Sequence, residues 1–369
     1  MQKFHNKFII SGGGTGGHIF PAIAIANALM KKCPAAEILF VGANGRMEME
    51  KVPEAGYKII GLNISGIQRK LTLKNIATLF RLIISLQKAK KIIKQFDPDL
   101  VIGVGGYASG PVLRIASSRK IPTLIQEQNS YPGITNKILS KKVDKICVAY
   151  EKMEKFFPEE KIVLTGNPVR QDIAVLQGKR EQALEMFKLN KNKKTILVVG
   201  GSLGARTINN AILEKLGLFK EQGIQLIWQT GKTFYETAQQ ACSHYSDSGI
   251  GAHAFISKMD FAYAAADMVI SRAGAIAISE LCLVGKPVIL VPSPNVTEDH
   301  QTKNALALSD NNAAILIRDA DAQETLVTKA IDLINDAAFC EKISANILHY
   351  AHKDAAEQIA DIILNMVKK

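Results

Sequence analysis

Aromatic residues are scarce in this chain: Phe, Trp and Tyr make up 6% of its 369 residues, and there is one tryptophan. Proteins that hold single-stranded nucleic acid stack its bases on aromatic platforms. No recognition helix or RNP-like motif offers a substitute, so no nucleic-acid partner is expected. Cysteine is scarce too. The five (Cys33, Cys147, Cys242, Cys282 and Cys340) are odd in number, and no pair stands at C-x-x-C spacing. Neither a disulfide framework nor a zinc site is expected, and the pattern fits buried, reduced thiols of a cytosolic protein. Long apolar runs are absent. The first, Phe8 to Ile10, stops at Ser11 and Gly12, too short for the core of a secretory signal. No stretch approaches the ~18 uninterrupted apolar residues of a membrane helix. The chain is not expected to span a membrane, though it can still touch one.

What is present is the composition of a soluble globular enzyme, 47% hydrophobic and 22% charged. The length exceeds one ordinary core, so two domains are expected. The formal net charge of +12 and pI of about 9.3 point to anionic partners: phosphates, nucleic acid or an acidic membrane surface.

Apolar, β-branched runs alternate with helical patterns. KFIIS (7–11), EILFVG (37–42), DLVIGVGG (99–106), TLIQEQ (123–128) and KICVAY (145–150) read as strands, and PAIAIANALMKK (21–32) as an amphipathic helix with Pro21 in its first turn. The pattern restarts after Gly166 and Pro168. TILVVGG (195–201) runs into GGSLGA (200–205) and the helix RTINNAILEKL, followed by the strands IQLIWQT, DMVISRAG and PVILVPSP. This predicts an α/β fold of two Rossmann-like domains with parallel sheets, joined near Asn167–Asp172, with a cleft between them. The expected boundaries are 1–167 and 168–354.

A glycine-rich turn at a helix N-terminus offers bare N–H groups and partial positive charge to a phosphate. GGGTGG (12–17) contains the G-x-G-x-x-G spacing, but a dinucleotide site also needs an acid at the end of the second strand. That strand ends Val41 to Gly45 without one, which disfavours an NAD-dependent oxidoreductase. In the second half, SRAGAIAISE (271–280) places Glu280 inside a helix after a tight turn. A carboxylate there can accept both hydroxyls of a ribose. On spacing alone, it is also read as a solvated helix residue. EDHQTKNA (298–305) is a polar cluster that can meet sugar hydroxyls or be a plain loop.

GGGTGGHIFPAIAIA, GVGGYASGP (103–111), QEQN-x-x-PG-x-TNK (126–137), TGNPVR (165–170), GGSLGAR, SRAGA-x-x-x-SE and DHQTKNA occur in this order. Together they resemble the bacterial peptidoglycan glycosyltransferases of the MurG family, and the motifs span residues 11 to 305. The resemblance implies a GT-B fold with the last helix, about 355–369, packing back on the first domain. It implies a hexosyltransferase that moves N-acetylglucosamine, with inversion, from UDP-N-acetylglucosamine to the 4-hydroxyl of the muramyl sugar of lipid I, giving lipid II for peptidoglycan. It implies a peripheral location on the cytoplasmic face of the inner membrane. Rivals are a related glycosyltransferase acting on diacylglycerol and a UDP-sugar epimerase.

The resemblance also implies the following residue roles, carried over by matching positions. In the donor domain, Ser202 and the GGSLGA amides face the UDP phosphates, and Arg170 neutralises them as UDP leaves. Ile256 contacts uracil through its backbone, and Glu280 takes the ribose. Ala275, Ile276, Ala277, Ile278 and Ser279 line the phosphate side. His300 and Gln301 meet the sugar, with Asn304 behind them. From the first domain, Thr15, Gly16, Gly17 and Asn129 reach the donor sugar. Gly13, Gly14, Gly105, Gly106 and Tyr107 face the acceptor pyrophosphate. Two departures stand out: the family usually has His where this chain has Gln126, and some members have a hydroxyl residue at the position of Ala277.

Inversion needs one displacement and one general base. His18, at a helix start whose dipole favours a neutral imidazole, is one candidate; the alternative for it is a capping or substrate hydrogen-bonding role. Glu127 is the rival base, or else a carboxylate that orients its loop. A helix N-terminus plus Arg170 can stabilise the departing diphosphate. No D-x-D pair is read as the metal-binding kind of the metal-dependent sugar transferases, so neither metal nor cofactor is expected.

From Lys58 to Phe96 there is no Asp or Glu, against nine Lys or Arg. Apolar residues at 76, 79, 80, 83, 84, 86, 89, 92 and 93 have helical spacing, with Arg81, Lys88 and Lys91 on the polar side. The helix is expected to bury one stripe, while ISGIQRKLTLK (64–74) forms an exposed rim that meets an anionic membrane surface.

Overall fold

The computed structural model describes residues 6–64, 73–169, 173, 175–201, 204–296 and 299–367, with 73–80 and Ser246 described by backbone alone. The chain divides into two compact units, Met1–Val169 with Asp354–Lys369, and Arg170–Lys353.

The first unit holds seven strands: β1 (Lys7–Ser11), β2 (Glu37–Ala43), β3 (Lys58–Leu62), β4 (Leu100–Gly103), β5 (Thr123–Glu127), β6 (Lys145–Val148) and β7 (Ile162–Leu164). They form one parallel sheet in the order β3-β2-β1-β4-β5-β6-β7. Both faces are covered, which is why the strands are continuously apolar rather than alternating. Phe8, Ile10 and Ile102 face the helix Gly16–Lys32 and the last helix, Ala355–Val367, whose Ile359 and Ile363 are fully buried there. Ile9, Val101 and Ile125 face the opposite layer, with Ala89, Ile93 and Val112.

The second unit holds β8 (Thr195–Val199), β9 (Gln225–Gln229), β10 (Ile250–His253), β11 (Met268–Ser271), β12 (Val288–Leu290) and β13 (Ile315–Leu316). The order is β10-β9-β8-β11-β12-β13, again parallel. In both sheets the order reverses beside the first strand of the unit, between β1 and β4 and between β8 and β11. A ligand crevice opens at such a switch point, outside the carboxyl ends of the strands. Both glycine-rich loops leave their sheets there.

Some elements differ from the sequence-based expectation. β3, β7, β10 and β13 are short strands that periodicity did not single out; β7 is an edge strand of three residues with Leu164 40% exposed. The first helix begins at Gly16, not Pro21. Thr15 caps it in extended conformation, and its carbonyl accepts the amides of His18 and Ile19 at 3.1 and 3.2 Å. The last two glycines of the loop and His18 therefore belong to the helix's first turn, and Pro21 sits beyond it. RTINNAILEKL divides at Lys215 into Arg206–Glu214 and Leu216–Glu221. The apolar stripe of Leu73–Phe96 also divides. Ala89, Ile92 and Ile93 are buried, while Ile83 and Ile84 are 46% and 55% exposed. Most of the expected basic rim, residues 65–72, lies outside the described residues.

All five cysteines are unpaired thiols. Burial pushes Cys147 and Cys282 up to about 12 and Cys242 up to about 11, so they stay protonated and unreactive. Among the described residues, no helix is long and apolar enough to cross a membrane.

Candidate active site

In the first unit, two glycine turns lie against each other. A Cβ at Gly106 would overlap the carbonyl of Gly13, and both residues have positive φ, 82° and 144°. Glycine at both positions lets the loop after β4 approach the loop after β1. Gly105 lies beside His18: a Cβ there would come within 2.9 Å of the ring's Nε2.

His18 Nδ1 stands 3.0 Å from the carbonyl of Gly13 and 3.3 Å from Thr15 Oγ1. A carbonyl only accepts, so Nδ1 carries the proton, and in the neutral ring the lone pair is on Nε2. Nε2 is the basic atom, and it is held on the Gly105 side of the ring. Tyr107 follows, 54% exposed.

Glu48 is the residue that motif reading missed. It opens the helix Glu48–Glu54 and is 1% exposed. Its two carboxylate oxygens accept the amides of Ala43 and Gly14, each at 2.9 Å. A Cβ at Gly13 or Gly42 would collide with its side chain. Glu48 lies three residues beyond Gly45, past the strand end where a dinucleotide site carries its acid. The carboxylate is present, but it clamps the glycine loop instead of facing a ribose. The sequence shows only an acid a few residues past the second strand; its burial and its two amide partners are visible only in the structure.

Glu127 is 2% exposed at the end of β5. Its Oε1 accepts the Asn129 amide at 3.0 Å and Asn129 Nδ2 at 3.2 Å. Its Oε2 accepts the Gly133 amide at 3.1 Å and Asn136 Nδ2 at 2.8 Å. The carboxylate thus folds the 128–133 loop around itself, and Asn129 is engaged on it. Beside it runs a buried amide network that sequence reading also missed. Gln126 Nε2 donates to Asn167 Oδ1 at 2.8 Å, Asn167 Nδ2 to the Gln128 carbonyl at 3.0 Å, and Gln128 Nε2 to the Val104 carbonyl at 2.9 Å. Gln126, where the family usually has His, is a neutral link in this chain of amides.

In the second unit, Gly204 (φ 79°) packs directly on the Thr230 carbonyl. Gln229, 3% exposed, donates from Nε2 to the Gly201 carbonyl at 3.2 Å and accepts the Ile256 amide on Oε1 at 2.8 Å. The Ile256 N–H is thereby engaged by a side chain, so a backbone contact from Ile256 falls to its carbonyl in this conformation. The helix Ala275–Val284 starts at Gly274. The Ile278 amide donates to the Gly274 carbonyl at 2.9 Å and its side chain is 1% exposed, so Ile278 packs the core. Helix geometry leaves the first-turn amides of Ala275, Ile276 and Ala277 without a carbonyl four residues back inside the helix, the kind of N–H group that can hold an anion. Ser279 Oγ bonds back to the Ala275 carbonyl at 3.0 Å. Glu280, half-buried, stands 3.4 Å from the Tyr263 hydroxyl. Gln301 Oε1 accepts the Ser293 amide at 2.8 Å, half-buried His300 begins the helix His300–Ser309, and fully buried Asn304 reaches the Ala273 carbonyl at 3.5 Å. Arg170 and Ser202 lie outside the described residues.

The sequence does contain two D-x-D spacings, at 97–99 and 319–321, and the structure engages Asp99, Asp319 and Asp321. Asp99 accepts the Lys7 amide at 2.8 Å. Asp319 pairs with Arg272 at 2.5 Å and accepts Thr207 Oγ1 at 2.9 Å, while Asp321 pairs with Arg318 at 2.8 Å.

Two parallel, switch-point sheets, each with a glycine loop at its opening, match the two halves of one enzyme class. Residues 8–148 match the glycosyltransferase family 28 N-terminal domain, and residues 195–359 the glycosyltransferase family 28 C-terminal domain. Two Rossmann-like domains of this kind define a GT-B glycosyltransferase. The chain is 56% identical over 369 residues, all of both chains, to the UDP-N-acetylglucosamine–N-acetylmuramyl-(pentapeptide) pyrophosphoryl-undecaprenol N-acetylglucosamine transferase of Parabacteroides distasonis. It is 56% identical over 363 residues to that of Porphyromonas gingivalis, covering 98% of this chain and 96% of the relative. The crystal structure of Acinetobacter baumannii MurG superposes with a TM-score of 0.78 at 27% identity, covering 98% of this chain and 99% of that one. The chain belongs to the MurG family.

Proposed function

We propose that this chain is the N-acetylglucosaminyltransferase that converts lipid I to lipid II. It moves N-acetylglucosamine from UDP-N-acetylglucosamine to the 4-hydroxyl of the lipid-linked muramyl sugar. The observation that carries the chemistry is the fixed tautomer of His18. With Nδ1–H held by the Gly13 carbonyl, Nε2 accepts the proton of the acceptor hydroxyl as its oxygen attacks the anomeric carbon. The bond from that carbon to the diphosphate breaks, and UDP leaves with the electron pair. One displacement inverts the centre without a covalent intermediate. Glu127 acts as the loop's positioning carboxylate, because four donors already surround it.

The second unit takes the donor. The first-turn amides of 275–277 and the 200–205 loop, with Arg170 and Ser202, receive the diphosphate. Glu280 takes the ribose, while His300 and Gln301 take the sugar. The first unit takes the acceptor, with its pyrophosphate at the paired glycine turns of Gly13, Gly105 and Gly106, while the Gly14 amide is held by Glu48 and braces that loop instead. The enzyme sits on the cytoplasmic face of the membrane. Exposed Ile83 and Ile84, in a stretch without acidic residues, support contact with anionic lipid.

The test is transfer of labelled N-acetylglucosamine from its UDP donor to a short-chain lipid I analogue, with chelator present. Product is expected. Tight donor binding without transfer would redirect the search to another acceptor, and absent donor binding would refute the reading of the second unit.

A further inference from the structure

We propose that a groove at the carboxyl ends of β2 and β3 binds a carboxylate of the acceptor's peptide; this rests on the first unit being the acceptor's side. A cavity of about 550 Å³ opens there, lined by Asn44, Arg46, Asn63, Ile64, Arg81 and Ile84. The volume suits a short peptide segment rather than a single ion. Two guanidinium groups give it fork-shaped donors for a carboxylate, and two isoleucines give it an apolar wall.

Its walls are built, not incidental. Asn44 Nδ2 donates to Asn63 Oδ1, which joins the ends of the two strands. The Asn44 carboxamide also lies where a Cβ at Gly61 would be, 2.7 Å from its Cγ. Lys88 Nζ donates to the Gly61 carbonyl at 2.7 Å and Ser85 Oγ to the Asn63 carbonyl at 3.3 Å, so the helix Leu73–Phe96 fixes the β3 end. Asn63, Ile64, Arg81 and Ile84 belong to a stretch of sequence, Lys58 to Phe96, that has no acidic residue.

The groove is also tied to the glycine loop. Glu48 holds the amides of Ala43, next to Asn44, and Gly14 in one carboxylate. A pentapeptide-bearing acceptor has two kinds of anion, its pyrophosphate and the carboxylate that ends its peptide. With the pyrophosphate at the paired glycine turns, the groove is a second cationic recess one clamp away from them.

The experiment uses the full chain and two soluble acceptors, one with a free peptide carboxylate and one with that carboxylate amidated. Wild type is expected to favour the carboxylate acceptor by about tenfold or more in KM. Arg46→Gln and Arg81→Gln are expected to raise KM for the carboxylate acceptor and erase that preference. KM for the amide acceptor and for the donor should hold. Asn63→Asp, which places a like charge in the groove, should act in the same direction. Equal KM rises for both acceptors would overturn the proposal in favour of phosphate binding. Unchanged KM values with weakened binding to phosphatidylglycerol-containing vesicles would overturn it in favour of a lipid headgroup site. Unchanged KM and vesicle binding would remove the groove from recognition altogether. Failure of wild type to transfer to either acceptor would strike the acceptor reading itself, and the groove assignment with it.

Discussion

The two glycine loops begin alike and are braced oppositely. Each follows the first strand of its sheet, at the switch point, and each runs into a helix. The loop after β1 is clamped by the buried carboxylate of Glu48, which takes the Gly14 amide, and it leans on a second glycine turn at Gly106. The loop after β8 leans on the Thr230 carbonyl and is tied through the carboxamide of Gln229. A carboxylate brace withdraws an amide from anion binding and adds negative charge, whereas an amide brace does neither. The first loop holds a histidine in one orientation, and under the proposed function the second offers its amides to a diphosphate. Equal topology therefore does not mean equal chemistry.

The sharpest way to test that difference is His18→Ala. Turnover should fall roughly 10²–10⁴-fold with donor affinity nearly unchanged, measured by steady-state transfer and by UDP titration. Near-normal turnover would remove His18 as the base. Next is Glu48→Ala, which leaves two buried amides without their acceptor. A loss of about 2 kcal/mol or more, read by thermal or denaturant melting, should come with reduced transfer. The second loop should not feel it, so UDP affinity should hold. A fall in UDP affinity would break the distinction between the loops.

Smaller effects belong to the donor side. Glu280→Gln should raise donor KM about tenfold, and Tyr263→Phe, which removes one hydrogen bond to Glu280, should raise it only a few-fold. Equal effects would show that the tyrosine, not the carboxylate, faces the ribose.

The smallest is a pH effect. Lys286 donates to the Tyr263 and Ala264 carbonyls at 2.6 and 3.3 Å and also to that of Ala266, so it caps the helix Met259–Ala265. Burial lowers it from 10.5 to about 8, with Arg180 adding to the shift and Asp267 opposing it. The unfolded chain then binds more protons than the folded one between pH 8 and 10.5. Stability contributed by this group rises with pH across that window. Comparing melting of wild type and Lys286→Met from pH 7.5 to 10.5 should show the wild type gaining on the variant. A flat difference would refute the depressed value.

The limits of reading the chain show at particular residues. Ser11, Gly12 and the apolar KFIIS run identify a strand entering a glycine loop, because a buried parallel strand and a left-handed turn each demand narrow residue types. Glu48 was not legible as a clamp. Its partners, Gly14 and Ala43, are 34 and 5 residues away, and only the pairing of β1 with β2 brings them together. Ile83 and Ile84 have the spacing of a buried stripe but are exposed, since spacing shows that a face exists without showing what covers it. In the sequence Gln229 is simply one residue of the strand IQLIWQT. Its link between Gly201 and Ile256 depends on β9 lying between β8 and β10.

The sequence by itself determined the two-domain α/β class, the two loop-to-helix openings and the family, through local backbone demands and motifs in order. Only the tertiary structure decided how each loop is held: the tautomer of His18, the saturation of Glu127, the Glu48 clamp and the arginine groove. The clamp and the groove follow from contacts between segments far apart in the chain, which a parallel sheet sets by strand order and not by proximity in sequence. The His18 and Glu127 contacts are local, and what decides them is the path the loop backbone takes around each side chain.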